Sequence, residues 1–381
     1  MGRNDYVFLL PVKYLEKGGV PMESTALVID GDGHVVEDID GISSLMPQRY
    51  REKYGQRQFD PFPPLDHLHS CNLHDLPPGA FAHVGPDGWL DFLKDVGIEA
   101  TVLYTTRGLA FGKVVSRDWA IDLARAYNDW LHQAYLKRSP RFKAVGLIPL
   151  QEPEAAVEEL RRAVKELGMC GAMLPSTGFQ FHLGHKMYWP IYEEADRLGC
   201  CLGIHGGAHE NLGMDDLNPY APVHALGHPF GLMVAFAGIV FNGICDKFPN
   251  VRIGFMEGGV AWLLMCLERF DRSYETHIQH DPRGEFLRLE KGERVSDYII
   301  RHIKAGRLFV GCEGSEPDLA HAIKRVGNGP FIYSSDFPHE VNNEFCKHEL
   351  KEVWENEELT ADDKAAVLYR NCQKFYNLAR E

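Results

Sequence analysis

Eight short apolar runs, each leading into a segment of helical character, constrain this chain more than any other feature. They are TALVID (25–30), EATVLYT (99–105), FKAVGLIPL (142–150), CGAMLP (170–175), CCLGIHG (200–206), VRIGFMEGG (251–259), LFVGC (308–312) and FIYSSD (331–336). Runs that are apolar throughout belong to strands covered on both faces. Between them, 116–137 carries apolar residues at helical spacing, and 152–168 and 187–199 end on the glycine expected just past a helix. Further helices are expected at 231–246, 260–276, 293–304, 317–326 and 361–370. Eight such units predict a (β/α)8 TIM barrel, with an open doubly wound sheet as the competing arrangement.

Two segments fall outside the alternation. Residues 40–95, rich in Pro, Gly, His and Asp, interrupt it between the first two strands. They are expected to emerge beside the first βα loop as a lid or substrate-binding insertion. Phe59, Phe62, Leu65, Leu68 and Phe81 can roof a pocket for an aromatic or polycyclic acid, or form the insertion's own small core. Residues 1–23 are expected to be an N-terminal extension packed on a barrel of residues 24–381.

The formal net charge is -14 and no lysine/arginine block stands out, which disfavours nucleic acid or an anionic membrane surface as partner. No run of eighteen apolar residues occurs, and MGRNDYVFLL lacks a signal-peptide layout. Nine cysteines without a C-x-x-C pair read as reduced thiols. A cytoplasmic, homodimeric protein acting on a small molecule is the expectation.

In such a barrel the chemistry sits at the C-terminal ends of the strands. The polar residues expected there are Asp32 and His34 in VIDGDGHV, His205 and His209 in LGIHGGAHE, Glu257 in GFMEGG, and Asp336 and His339 in SSDFPH. Asp32 and His34, two apart, point the same way on an extended chain. Taken singly, Asp32 also suits a turn, His34 a structural imidazole and Asp336 a helix cap. Together they place imidazoles and three carboxylates on one rim. Unpaired carboxylates there repel one another and raise their own pKa values, and a divalent cation removes both problems. Asp336 therefore reads as a metal ligand.

The motifs DGDGHVVED, GIHGG, FMEGGVAWL, SSDFPH and NCQKFYNL, spread over residues 25–380, resemble the metal-dependent amidohydrolase superfamily. The nearest branch is that of aminocarboxymuconate-semialdehyde decarboxylase. The resemblance implies metal ligands at Asp32, His34, His205 and Asp336. Two departures stand out. The fourth strand, CGAMLPSTG, lacks the lysine that many members carboxylate to bridge two metals. Glu257 stands where the decarboxylases of this branch carry an acid/base histidine. His209, His224 and His228, in or beside the fifth βα loop, are candidates for the missing proton-transfer group.

Asp32, His34, His205, Asp336 and Glu257 are thus the candidate metal ligands. Asp336, Glu257, His209 and His228 are the candidate catalytic groups. Arg107, Phe62, His224 and His339 are the candidate substrate contacts. The mixed N/O set suits zinc first, with iron or manganese as alternatives, and one ion or two. Metal-activated water attacking an amide, ester, thioester or C–C bond needs only these residues. The alternative is metal-dependent decarboxylation of an aromatic or muconate-type acid.

Overall fold

The computed structural model describes residues 27–54, 60–65, 79–277 and 280–378, so the expected extension at 1–23 lies outside the described residues. The strands are β1 (Ile29–Val35), β2 (Ala100–Thr105), β3 (Phe142–Leu147), β4 (Gly171–Pro175), β5 (Cys201–His205), β6 (Arg252–Met256), β7 (Leu308–Cys312) and β8 (Phe331–Tyr333). They pair in parallel and in chain order. Helices lie between them, and the architecture is a (β/α)8 barrel.

The barrel closes where β8 returns to β1. The Asp336 N–H donates to the Asp32 carbonyl (3.0 Å) and the His34 N–H to the Phe337 carbonyl (2.7 Å). The buried Asp30 carboxylate reinforces this seam, accepting from Thr101 Oγ1 (2.7 Å) and from the Ser335 N–H and Oγ (both 2.9 Å). A register irregularity between Asp30 and Gly33 separates this structural carboxylate from Asp32 and His34, which face the rim.

β1 runs through D-G-D-G-H instead of ending before it, because the two glycines serve close approach rather than a turn. A Cβ on Gly31 would lie 2.3 Å from Ile332 Cγ2, and one on Gly33 2.4 Å from Trp89 Cη2. Trp89 belongs to the helix Gly85–Val96, whose Trp89, Phe92, Leu93 and Val96 are buried. That helix packs on β1, with Trp89 Nε1 donating to the His34 carbonyl (3.1 Å), so the last part of the expected 40–95 insertion belongs to the barrel. Helices Ile39–Leu45, Gln48–Tyr54 and Asn343–Glu355 were not expected from the sequence pattern.

The largest correction is the helix expected at 231–246. It spans Tyr220–Phe241 and runs through Pro229. Proline removes one helical hydrogen bond, but burial of Val223, Leu232, Ala235, Phe236 and Ile239 against the barrel outweighs that loss. By length and composition (hydropathy 1.6) this helix is apolar enough to cross a membrane, while half of that window is buried inside the fold. Its consequence for the site is that His224 and His228 are helical rather than loop residues. The eight cysteines among the described residues are free thiols.

Candidate metal centre

The rim of the barrel gathers donor atoms from β1, β5 and the turns after β6 and β8. His34 Nε2 lies 3.6 Å from Asp32 Oδ1 and 3.4 Å from Asp336 Oδ1. His205 Nε2 lies 3.5 Å from Asp32 Oδ2 and 3.1 Å from Glu257 Oε2. Ligand bonds of roughly 2.0–2.2 Å give polyhedron edges of about 3–3.6 Å, which these separations match. The imidazoles are oriented for the task. His34 Nδ1 faces the Thr105 carbonyl (2.9 Å) and His205 Nδ1 the Gly206 carbonyl (3.1 Å). A carbonyl only accepts, so each Nδ1 carries the proton and each Nε2 offers a lone pair.

The fit to a cation rests on unmet polar atoms. Both oxygens of Asp32, Nε2 of His34 and His205, Glu257 Oε2 and Asp336 Oδ1 are buried without a hydrogen bond. So many stranded groups in one place are costly unless a shared partner sits among them. Asp32, His34 and His205 form one set of mutually close donors, and His34, Glu257, Asp336 and His339 form another. Burial, then the carboxylates of Glu257 and Asp32, push the Asp336 carboxyl well above its ordinary range. Burial, then the charge of His339, hold the His34 imidazole well below its own. Burial also opposes charge on His205, but Asp32 and Glu257 outweigh it and raise that imidazole. A divalent cation held by Asp32, His34, His205 and Asp336 resolves these conflicts at once.

The other expected residues separate into two groups. His339 stacks on His34 (ring centroids 4.0 Å apart), lies 2.8 Å from Asp336 Oδ1 and bonds Thr106 Oγ1 through Nε2 (2.9 Å). It braces Asp336. His209, His224 and His228 line one wall of a cavity that opens onto Glu257, and Leu65, Phe81 and Leu109 form its apolar side. His228 Nδ1 lies 3.1 Å from Glu257 Oε1. Arg107 and Phe62 lie elsewhere. The Arg107 guanidinium pairs with Asp60 (2.7 Å), and Phe62 is buried edge-on to Tyr127 in the core. Phe59 and Leu68 lie outside the described residues.

Several contributors were not singled out from the sequence. Thr106, Tyr220 and Glu340 line the cavity. Glu37 accepts from the backbone N–H groups of Thr106 and Arg107 (3.0 Å each) and from Thr105 Oγ1, fixing the loop after β2. Glu316 accepts from the N–H groups of Val260 (2.7 Å) and Glu313 (2.8 Å), clasping the loops after β6 and β7. Burial pushes its carboxyl up to about 8. The D-G-D spacing was the available signal for Asp30. Nothing local marks Glu37 or Glu316, whose partners are backbone groups distant in sequence.

A family model described as amidohydrolase matches residues 29–378. The 2-amino-3-carboxymuconate-6-semialdehyde decarboxylase of Dictyostelium discoideum is 29% identical over 230 residues. That match spans 58% of this chain and 62% of the enzyme, less than two thirds of its length. The gamma-resorcylate decarboxylase of Rhodococcus jostii (strain RHA1) is 27% identical over 279 residues, 67% of this chain and 77% of that one. Among solved structures, 5-carboxyvanillate decarboxylase from Novosphingobium aromaticivorans, with bound manganese, superposes with a TM-score of 0.67 at 19% identity. It covers 96% of this chain and 100% of its own, a likeness of fold.

Proposed function

Because the chain belongs to the amidohydrolase family, whose model spans residues 29–378, we propose that it is a metal-dependent, non-oxidative decarboxylase of an aromatic or muconate-type acid. The observation that carries this reading is the activity of the matched relatives, which are decarboxylases of such acids. The cavity above the donor cluster agrees with it, being apolar on one side and lined by imidazoles on the other. Decarboxylation thereby takes precedence over the hydrolysis that the strand-end residues alone suggested. Manganese, bound in the solved 5-carboxyvanillate decarboxylase, likewise takes precedence over zinc.

Asp32, His34, His205 and Asp336 would hold the ion. When bound, it supplies positive charge that anchors the substrate's acidic oxygens. The chain does the rest. Leu65, Phe81 and Leu109 exclude water from one face of the substrate. The carbon–carboxylate bond breaks, carbon dioxide leaves, and the carbon that carried it takes one proton. The imidazoles of the cavity wall are the groups placed to deliver that proton. Asp336, braced by His339, keeps its carboxylate at the cluster.

Hydrolysis stays as a second reading on one observation. Glu257 places a carboxylate, a suitable base for water, beside the cluster. Metal-loaded protein offered gamma-resorcylate, 5-carboxyvanillate and muconate-type acids tests the choice. Carbon dioxide release matching substrate loss is expected. No release from any acid in the panel, with turnover of esters or amides instead, would overturn decarboxylation.

A further inference from the structure

We propose that the chain carries an accessory small-molecule site, separate from the metal centre, which binds an aromatic carboxylic acid on Lys113. The site is a cavity of about 470 Å³ where the loops after β2, β4 and β5 meet the helix Tyr220–Phe241. Sites for small molecules commonly enclose about 300–1,000 Å³. None of the residues lining the cavity is a candidate metal ligand, so the proposal stands apart from the decarboxylase reading. Phe179, Phe181 and Val234 give it an apolar side. Both rings are fixed before any ligand arrives. Phe181 stacks on His185 with centroids 4.2 Å apart and planes inclined by 9°, and Phe179 meets Tyr188 edge-on at 6.3 Å. Val234 is exposed, on a helix without a charged residue. An aromatic ring lodged in the cavity removes this apolar surface from water at little ordering cost.

Two polar groups fix the kind of ligand. Ser176 is 4% exposed, and its hydroxyl makes no hydrogen bond among the described residues. Gly231 of the facing helix leaves room for it, since a Cβ there would lie 2.5 Å from Ser176 Oγ. A buried hydroxyl without a partner is costly, and a polar group on the ligand removes that cost. Lys113 supplies the charge and, among the described residues, is the only lysine or arginine lining the cavity. Its Nζ lies 2.6 Å from Glu210 Oε1, but the Lys113 side chain is 18% exposed and that of Glu210 51%. The cation is enclosed while its partner stands in water. A pair with so exposed an acid is worth about 1 kcal/mol or less. Glu210 can therefore swing out and let a ligand carboxylate take its place on the ammonium.

The test uses 4-bromobenzoate and chelator-stripped protein. Without metal, the donor cluster presents crowded carboxylates that repel an acid, so binding is read at Lys113 alone. Titration calorimetry should give one acid per chain, and a soaked crystal should show bromine anomalous density in the Lys113 cavity. 4-Bromobenzamide, which lacks the charge, should bind at least about tenfold more weakly. Lys113→Met should weaken 4-bromobenzoate as much, and so should Val234→Trp, which fills part of the cavity from an exposed position. Circular dichroism checks both folds, and Mn2+ uptake should be unchanged in both. No binding to the stripped wild type overturns the site. Equal binding of the benzamide overturns the acid as its ligand. Bromine elsewhere, or unchanged affinity in either folded variant, overturns the placement at Lys113. Should a variant fail to fold, the benzamide comparison and the bromine position decide. Failure of every acid to turn over leaves this site standing, because its binding is measured without metal.

Discussion

Glu257, directly after β6, and Asp336, three residues past β8, share a left-handed backbone conformation, with φ of 55° and 54°. Side chains with a Cβ avoid that region, at a cost of about 1 kcal/mol or more each. The conformation aims both carboxylates back across the rim at His34, at 4.0 and 3.4 Å. Glu316 holds the first turn through Val260, and the Asp336 N–H is anchored on the Asp32 carbonyl. Strain and like charge are concentrated at the same two positions.

Glu257→Gly should therefore separate stability from function. Glycine accepts the left-handed conformation, and the change removes one of three crowded carboxylates. Metal-free Glu257→Gly is expected to be more stable than metal-free wild type by about 1 kcal/mol in denaturant melts. Turnover should fall by at least about a hundredfold. A variant both destabilised and fully active would show that Glu257 is a structural residue.

Alanine in place of His34, His205 or Asp336 should leave the barrel folded and remove bound metal. His205 is the sharpest case, because its Nδ1 is committed to the Gly206 carbonyl and its Nε2 to the cluster. Elemental analysis after desalting measures the effect. Full occupancy in His205→Ala would remove His205 from the ligand set.

Glu349 gives a pH-dependent prediction away from the cluster. Its side chain is 1% exposed and neither carboxyl oxygen has a hydrogen-bond partner. Burial, then the nearby Glu313 and Asp336 carboxylates, push it from 4.5 up to about 9. The folded chain then keeps a proton that the unfolded chain releases across that window. Stability is lost as pH rises, by up to about 1.4 kcal/mol per unit from this group. Glu349→Gln removes the dependence. The variant should match wild type near pH 5 and exceed it by more than about 1 kcal/mol at pH 8. Parallel melting curves at both values check this, and a difference independent of pH would count against a buried, protonated Glu349.

The barrel was legible because apolar runs buried on both faces leave a signal in every strand. The rim was legible because strand ends are where a polar residue has no packing reason to sit, as at His205 and Glu257. What failed were local signals with two meanings. Asp32, between two glycines, also suited a turn, yet each glycine admits a neighbour's side chain against an extended β1. The helix expected at 231–246 begins at Tyr220 instead, because tertiary burial carries it through Pro229 and turns His224 and His228 toward the cavity. Arg107, next to β2, read as a substrate contact, and only the fold reveals Asp60 beside it.

That last residue yields the final prediction. The Arg107 guanidinium lies 2.7 Å from Asp60, with side chains 42% and 38% exposed. An exposed pair of this kind is worth about 1 kcal/mol or less. The loop does not depend on the side chain, because Glu37 holds it through the Arg107 backbone N–H (3.0 Å), which alanine retains. Arg107→Ala should change KM and kcat for an aromatic acid by no more than about twofold, and stability by under about 1 kcal/mol. Glu37→Ala is the contrasting change. It strands the Thr106 and Arg107 donors and should cost about 2–3 kcal/mol while loosening the Thr106 contact to His339. Steady-state kinetics on both variants compares them. A tenfold or larger rise in KM in Arg107→Ala alone would mean that the arginine leaves Asp60 to bind the substrate carboxylate.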